Sequence, residues 1–127
     1  MRKGARVLVV EDDRTARDAL AELIRIWGYQ PETASDGLEA LERMRDSQPS
    51  VLISDLQMPR MGGVELLKTL ETIAPDVSCI VLTSEGSAEE AALARAAGAV
   101  DLLEKPVDAR RLRRDLQRCL KQRSGSV

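Results

Sequence analysis

VLISDLQMPRMGG, residues 51 to 63, is the stretch whose reading decides the fold of this chain. Val51, Leu52 and Ile53 form a short apolar run, the composition of a strand covered on both faces of a parallel sheet, and the run stops at Asp55. A carboxylate therefore stands at a strand's carboxyl end. Pro59, with a fixed φ and no N–H, ends any continuation, and Gly62-Gly63 turns the chain before Val64, Leu67 and Leu70 recur at helical spacing. Open α/β sheets bind ligands just outside the carboxyl ends of their strands, which puts Asp55 where chemistry is expected. An aspartate there can equally cap a turn, so the other strand ends must decide.

Working outward, strand and helix patterns alternate five times. Arg6 to Val10 (RVLVV) reads as a buried strand, followed at once by Glu11-Asp12-Asp13. From Arg14 to Trp27, Ala16, Leu20, Leu23, Ile24 and Trp27 mark one helical face, with Asp13 as N-cap and Gly28 as the stop. Tyr29 to Ala34 is a weaker strand, and Pro31 assigns it to a sheet edge. A helix from Leu38 to Asp46 follows Asp36-Gly37. Beyond the opening stretch come a helix from Val64 to Ala74, a strand from Val77 to Thr83, and a helix from Ser87 to Ala97. A short strand from Val100 to Leu103, Lys105-Pro106 and a helix from Asp108 to about Lys121 complete the pattern. Five βα units with short connections predict an α/β fold. It is a doubly wound, five-stranded parallel sheet with right-handed crossovers and helices on both sides. Strand order 2-1-3-4-5 agrees with the second strand lying at an edge.

Composition narrows the function. The 127 residues contain no histidine, which excludes Ser-His-Asp and Cys-His catalysis, the usual zinc sites and a phosphohistidine within the chain. One Trp, one Tyr and no Phe leave little for stacking on single-stranded nucleic acid. No apolar run approaches the length needed to span a bilayer, and the start, Met1-Arg2-Lys3-Gly4, has no export signal; a native N-terminus and the cytoplasm are expected. Cys79 and Cys119 read as buried hydrophobes. Residues 108 to 123 hold seven Arg or Lys against two Asp, a balance of +5 that leaves −7 elsewhere. With no aromatic interleaving, that last helix reads as a solvated amphipathic face and not as a nucleic-acid interface.

The predicted topology gathers Glu11, Asp12, Asp55, Thr83 and Lys105 at one sheet edge. Three carboxylates crowded together repel, so a cation is expected there, unless Glu11 and Asp12 merely cap the first helix. Oxygen donors without nearby His or Cys select Mg²⁺. Lys105 suits a phosphoryl oxygen, and Thr83 adds one hydrogen-bond donor.

Four ordered segments now carry a resemblance: VLVVEDD (7–13), LISDLQMPRMGG (52–63), IVLTS (80–84) and AGAVDLLEKPV (97–107). Together they resemble the receiver domains of two-component response regulators, over residues 5 to 121, and imply the flavodoxin-like, CheY-like three-layer architecture. The resemblance implies that Asp55 is the phosphoacceptor, supplied by a phosphohistidine on a sensor histidine kinase or a histidine phosphotransfer protein. It implies that Asp12 ligates Mg²⁺ directly, that Glu11 is the second acid, often acting through water, and that Asp55 and the backbone carbonyl of Gln57 complete the protein ligands. Thr83 would be the switch hydroxyl, Lys105 the phosphate-pairing lysine, and Pro106 would follow a cis peptide bond. Residues 1–123 are expected to form the domain and 124–127 a tail or the start of a linker. Such a domain is not an enzyme beyond its own phosphorylation and dephosphorylation. Its output domain, partner protein or second copy would dock on the face of helix four, strand five and helix five, with no direct nucleic-acid or membrane binding.

Two features depart from the family pattern or leave it open. Leu102 stands where many receivers carry a switching Tyr or Phe, and Ser84 where Ala or Gly is commoner. The alanines of the fourth helix cover more than one buried stripe requires; they could dock a partner or simply be a solvated helix face. Among rival classes, an aspartate-nucleophile phosphatase of the haloacid dehalogenase type needs an acid at position 57, which is Gln. An FMN binder needs a phosphate-cradling loop after strand one, where Glu11-Asp12-Asp13 would repel phosphate. A phosphorylation-independent receiver acting as an interaction module is the remaining alternative.

Overall fold

Five strands, β1 (Arg6–Val10), β2 (Gln30–Ala34), β3 (Val51–Asp55), β4 (Ser78–Thr83) and β5 (Ala99–Glu104), run parallel in the order β2-β1-β3-β4-β5. The helices between them are α1 (Arg14–Ile26), α2 (Gly37–Asp46), α3 (Gly63–Ile73), α4 (Ala88–Ala96) and α5 (Ala109–Ser124). This computed structural model describes residues 4–84 and 88–124. The doubly wound α/β architecture and its strand order are those the sequence predicts, with Pro31 on an outermost strand.

Alternation along the central strands divides the interior in two. Val7 and Val9 of β1, Ile53 of β3 and Ile80 and Leu82 of β4 pack with Leu20 and Ile24 of α1 and Leu112, Leu116 and Cys119 of α5. Leu8, Val10, Leu52 and Val81 face the other way, onto Ala40 of α2, Leu66, Leu67 and Leu70 of α3 and Ala94 of α4. Each fully buried Leu, Ile or Val contributes about 1.5–3 kcal/mol of transfer free energy, so both cores draw on the same three strands. The register aligns Val10 with Ser54, and Asp55 with Leu82. Glu11 thus emerges level with Asp55.

Several local expectations change. Asp13 occupies the N-cap of α1 with extended backbone, but its side chain makes no cap bond. Its N–H instead donates to Glu11 Oε2 at 3.0 Å, so Glu11 draws the turn in from the strand side. Helices α2 and α3 each start one residue early, on Gly37 and Gly63, where the chain passes too close for a larger residue. A Cβ on Gly63 would lie 2.7 Å from the Asp55 carbonyl oxygen. The run at β5 is not covered on both faces: Val100 is 45% exposed, as an outermost strand allows. Helix α5 continues to Ser124, past the expected end near Lys121, because no Gly or Pro interrupts it before Gly125; residues 125–127 of the expected tail lie outside the described residues. The expected start of α4 at Ser87 also falls outside them. Cys79 and Cys119 are buried free thiols, and burial pushes the Cys79 thiol up to about 12.

An acidic pair that periodicity did not reveal joins β5 to α5. Asp115 is buried with its Oδ2 unpartnered, and burial, then the neighbouring Asp101 carboxylate, pushes its carboxyl up to about 6. Arg118 approaches Oδ1 at 3.4 Å, while Arg111 is taken up by Asp101. A carboxyl whose folded-state pKa exceeds its unfolded value binds protons more tightly when folded, so its contribution to stability falls as pH rises from about 4 to about 6. Asp115→Asn can donate to Asp101 without a charge. It is expected to raise stability at pH 7 by on the order of 1–2 kcal/mol and to flatten the fall between pH 4 and 7, as measured by urea unfolding across that range.

Candidate functional site

The carboxyl edge of the sheet gathers the residues singled out in the sequence. Glu11 follows β1 in the same alternation as Val7 and Val9 and is only 1% exposed; Asp12, one residue on, turns out to solvent. Asp55 closes β3 and is also buried. Carboxylate oxygens of Glu11, Asp12 and Asp55 all lie within 4.8 Å of one another. Among the described residues this acidic cluster is a group able to hold a metal ion, with hard oxygen donors only.

Lys105 reaches this pocket from the end of β5. Its Nζ donates to Glu11 Oε1 at 2.8 Å and to Asp55 Oδ2 at 3.0 Å, linking residues 94 and 50 positions away in sequence. The Lys105 N–H donates to the Thr83 carbonyl at 2.8 Å, holding the turn against β4. The Lys105–Pro106 peptide is cis, as expected. Burial alone would lower the ammonium pKa, but the bonds and charges of Glu11 and Asp55 outweigh it and raise it. Asp12 is raised, by desolvation first and then by the hydrogen bonding and charge of Glu11. One cation against three carboxylates leaves the pocket negative, the electrostatic condition under which a divalent cation binds. Oxygen donors and a net negative charge fit Mg²⁺.

Thr83 ends β4 at the same edge, buried, and pairs in register with Glu104. Gln57 lies two residues beyond Asp55, with its side-chain amide donating to Glu90 Oε2 of α4 at 3.1 Å. That contact ties the loop after β3 to α4. Arg17 was not anticipated. From α1 it donates to the Glu11 carbonyl at 2.9 Å and so fixes the chain where β1 ends; an arginine one turn into the helix after an acidic strand end is the signal that was present. Ser84, beside Thr83, is exposed, and residues 85–87 lie outside the described residues. Leu102 is half-buried and packs against the α2/α3/α4 core, where its side chain has an apolar contact but no polar function. Ala88, Ala92 and Ala96 of α4 are exposed, as is Leu93 at 46%, so the outward alanine face expected from the sequence exists.

The chain is similar to known proteins along most of its length. A family model described as the response regulator receiver domain matches residues 7–117. The response regulator MprA of Mycobacterium ulcerans is 40% identical over 103 residues, 81% of this chain and 44% of that protein. The transcriptional regulatory protein ZraR of Klebsiella oxytoca is 36% identical over 114 residues, 90% of this chain and 26% of that protein. The chain thus spans less than half the length of these curated relatives. A CheY-like receiver domain protein from Methanospirillum hungatei superposes with a TM-score of 0.92 at 27% identity, covering 98% of this chain and 99% of that one.

Proposed function

The chain belongs to the response regulator receiver domain family, and from that premise we propose that it accepts a phosphoryl group on Asp55 and uses it to control an output. The donor is a phosphohistidine on a sensor histidine kinase or a histidine phosphotransfer protein, a division of labour that 127 residues without histidine fit. The observation that carries this reading is the convergence of a buried strand-end aspartate with Lys105 and two further acids. Nothing in the site favours a phosphorylation-independent module, since Glu11, Asp12, Asp55, Thr83 and Lys105 are all in place.

Transfer forms a bond from an Asp55 carboxylate oxygen to phosphorus as the bond from phosphorus to the histidine nitrogen breaks; the imidazole leaves with the electron pair and takes a proton from solvent. When bound, Mg²⁺ held by Asp12, Asp55, the Gln57 carbonyl and Glu11 through water would neutralise charge on the phosphoryl oxygens. Lys105 exchanges part of its contact with Asp55 and Glu11 for one of those oxygens, so the charge it brings is already in position. Thr83 donates its hydroxyl to the acyl phosphate. Displacing the end of β4 biases the face formed by α4, β5 and α5, where an output domain, a partner protein or a second copy docks. The domain catalyses only its own phosphorylation and dephosphorylation, and it works in the cytoplasm.

Acetyl phosphate with Mg²⁺ should raise the intact mass by one phosphoryl group, and chelation with EDTA should prevent it. With a beryllofluoride mimic, amide exchange should change most from Ser84 to Leu93, with smaller changes around Leu102, because leucine has no ring to sweep between exposed and buried rotamers. A mass gain that ignores EDTA would overturn the metal assignment, and an unchanged exchange pattern would overturn the switch.

A further inference from the structure

The loop that leaves Asp55 is held in a conformation its own sequence disfavours. Its base is closed by the Leu56 N–H donating to the Leu82 carbonyl and the Gly63 N–H donating to the Leu56 carbonyl, both at 2.8 Å. Between them the Met61 N–H donates to the Pro59 carbonyl at 2.7 Å, a γ-turn about Arg60, whose φ is +66°. Positive φ at the centre of such a turn is uncommon and strained for a residue with a Cβ, and it persists only where the surroundings impose it.

The surroundings that impose it belong to the start of α2. Asp36, buried with its side chain 6% exposed, accepts from Arg60 Nε on Oδ2 at 2.7 Å and from the Glu39 N–H on Oδ1 at 2.9 Å. Next to it, the Gly37 N–H donates to the Met61 carbonyl at 3.2 Å, and a Cβ on Gly37 would lie 2.6 Å from Met61 Cγ. Bonding to Arg60 and then to the Glu39 N–H holds the Asp36 carboxyl below its ordinary range, so it stays ionised. Three residues before Arg60 in this loop stands Gln57. Gln57 thus lies between the tie at Leu56 and the tie at Arg60.

We propose that Asp36 is a positioning residue for the acceptor site: by gripping Arg60 it sets the loop that carries the Gln57 carbonyl, and so tunes Mg²⁺ affinity from outside the site. This rests on the reading of Asp55 as an Mg²⁺-dependent phosphoacceptor. Asp36→Ser keeps a side-chain oxygen for the Glu39 N–H but is too short to reach Arg60. Arg60→Gly removes the grip and the strain together, since glycine takes positive φ freely.

Calorimetric titration with Mg²⁺, alongside melting curves, tests the idea on the wild type, both single variants and the double variant. Asp36→Ser should weaken Mg²⁺ binding about tenfold, the low end of the range for groups that support a ligand from behind. Added to Arg60→Gly, the same change should alter Mg²⁺ affinity by less than about twofold, the additivity limit for uncoupled sites. Wild-type Mg²⁺ affinity in Asp36→Ser with a lowered melting temperature would make Asp36 only a helix cap and overturn the proposal. An equal loss of affinity in both backgrounds would overturn it as well, because Arg60 would then not be the route. A wild type that takes up neither Mg²⁺ nor a phosphoryl group would instead bring down the acceptor reading and this proposal with it, a result distinct from a variant that matches a competent wild type.

Discussion

Asp55→Asn is expected to fold and to gain no detectable phosphoryl group from acetyl phosphate with Mg²⁺ under conditions that label the wild type. Asparagine matches the aspartate in shape, so the backbone bond from Leu56 to Leu82 and the close passage of Gly63 over the Asp55 carbonyl survive the change. What the change removes is the anionic oxygen proposed to attack phosphorus. Lys105 keeps Glu11 as its partner, and one of three crowded negative charges is gone, so the variant should melt no lower than the wild type without metal. Intact mass and melting curves check both halves. Labelling at the wild-type level in the variant would place the acceptor elsewhere, and a collapse in stability would show that the Asp55 charge is structural.

The second large effect concerns Lys105. Removing one partner of a buried ion pair leaves the other charge without compensation and costs about 3–5 kcal/mol where both partners are sequestered. Glu11 is sequestered and Lys105 is 27% exposed, so Lys105→Ala should destabilise the metal-free protein by a somewhat smaller amount, on the order of 2–3 kcal/mol. For a domain of this size that is a fall in melting temperature of about 10 °C. Saturating Mg²⁺ stabilises whichever form binds it and supplies the missing positive charge, so the gap between variant and wild type should shrink when the melts are repeated with metal. Melting within about 2 °C of wild type in EDTA would mean that water already screens the acids and that the lysine contributes little to the fold.

The positions of the strands were legible because β1, β3 and β4 each carry an apolar run that stops at a charged or hydroxyl residue, Val10 before Glu11, Ile53 before Ser54 and Asp55, and Leu82 before Thr83, and because Leu102-Leu103 of the outermost β5 stops before Glu104 and Lys105. That punctuation located the sheet edge and, with it, the cluster. Contacts between side chains distant in sequence were not legible. Asp36 and Arg60 are 24 positions apart, and Asp36-Gly37 announced the turn into a helix without announcing a partner for the carboxylate. The Asp101 and Asp115 pair was hidden for a related reason, since a carboxylate on an amphipathic helix is read as solvent-facing until a neighbouring strand is known to cover it. Asp13 stands at the N-cap, but its side chain accepts no helix N–H; the turn is held instead by its own N–H donating to Glu11, whose other oxygen is held by Lys105.

Lys105 belongs to the last βα unit of the sheet, whereas the two acids it bridges belong to the first and third. A polypeptide synthesised from its N-terminus has therefore laid down Glu11, Asp12 and Asp55 well before their counter-charge leaves the ribosome. Until β5 docks beside β4, any nascent sheet edge holds three negative groups and no fixed positive one. The acids of the site are thus all in the chain before the lysine, and the final strand to arrive is the one that brings their counter-charge.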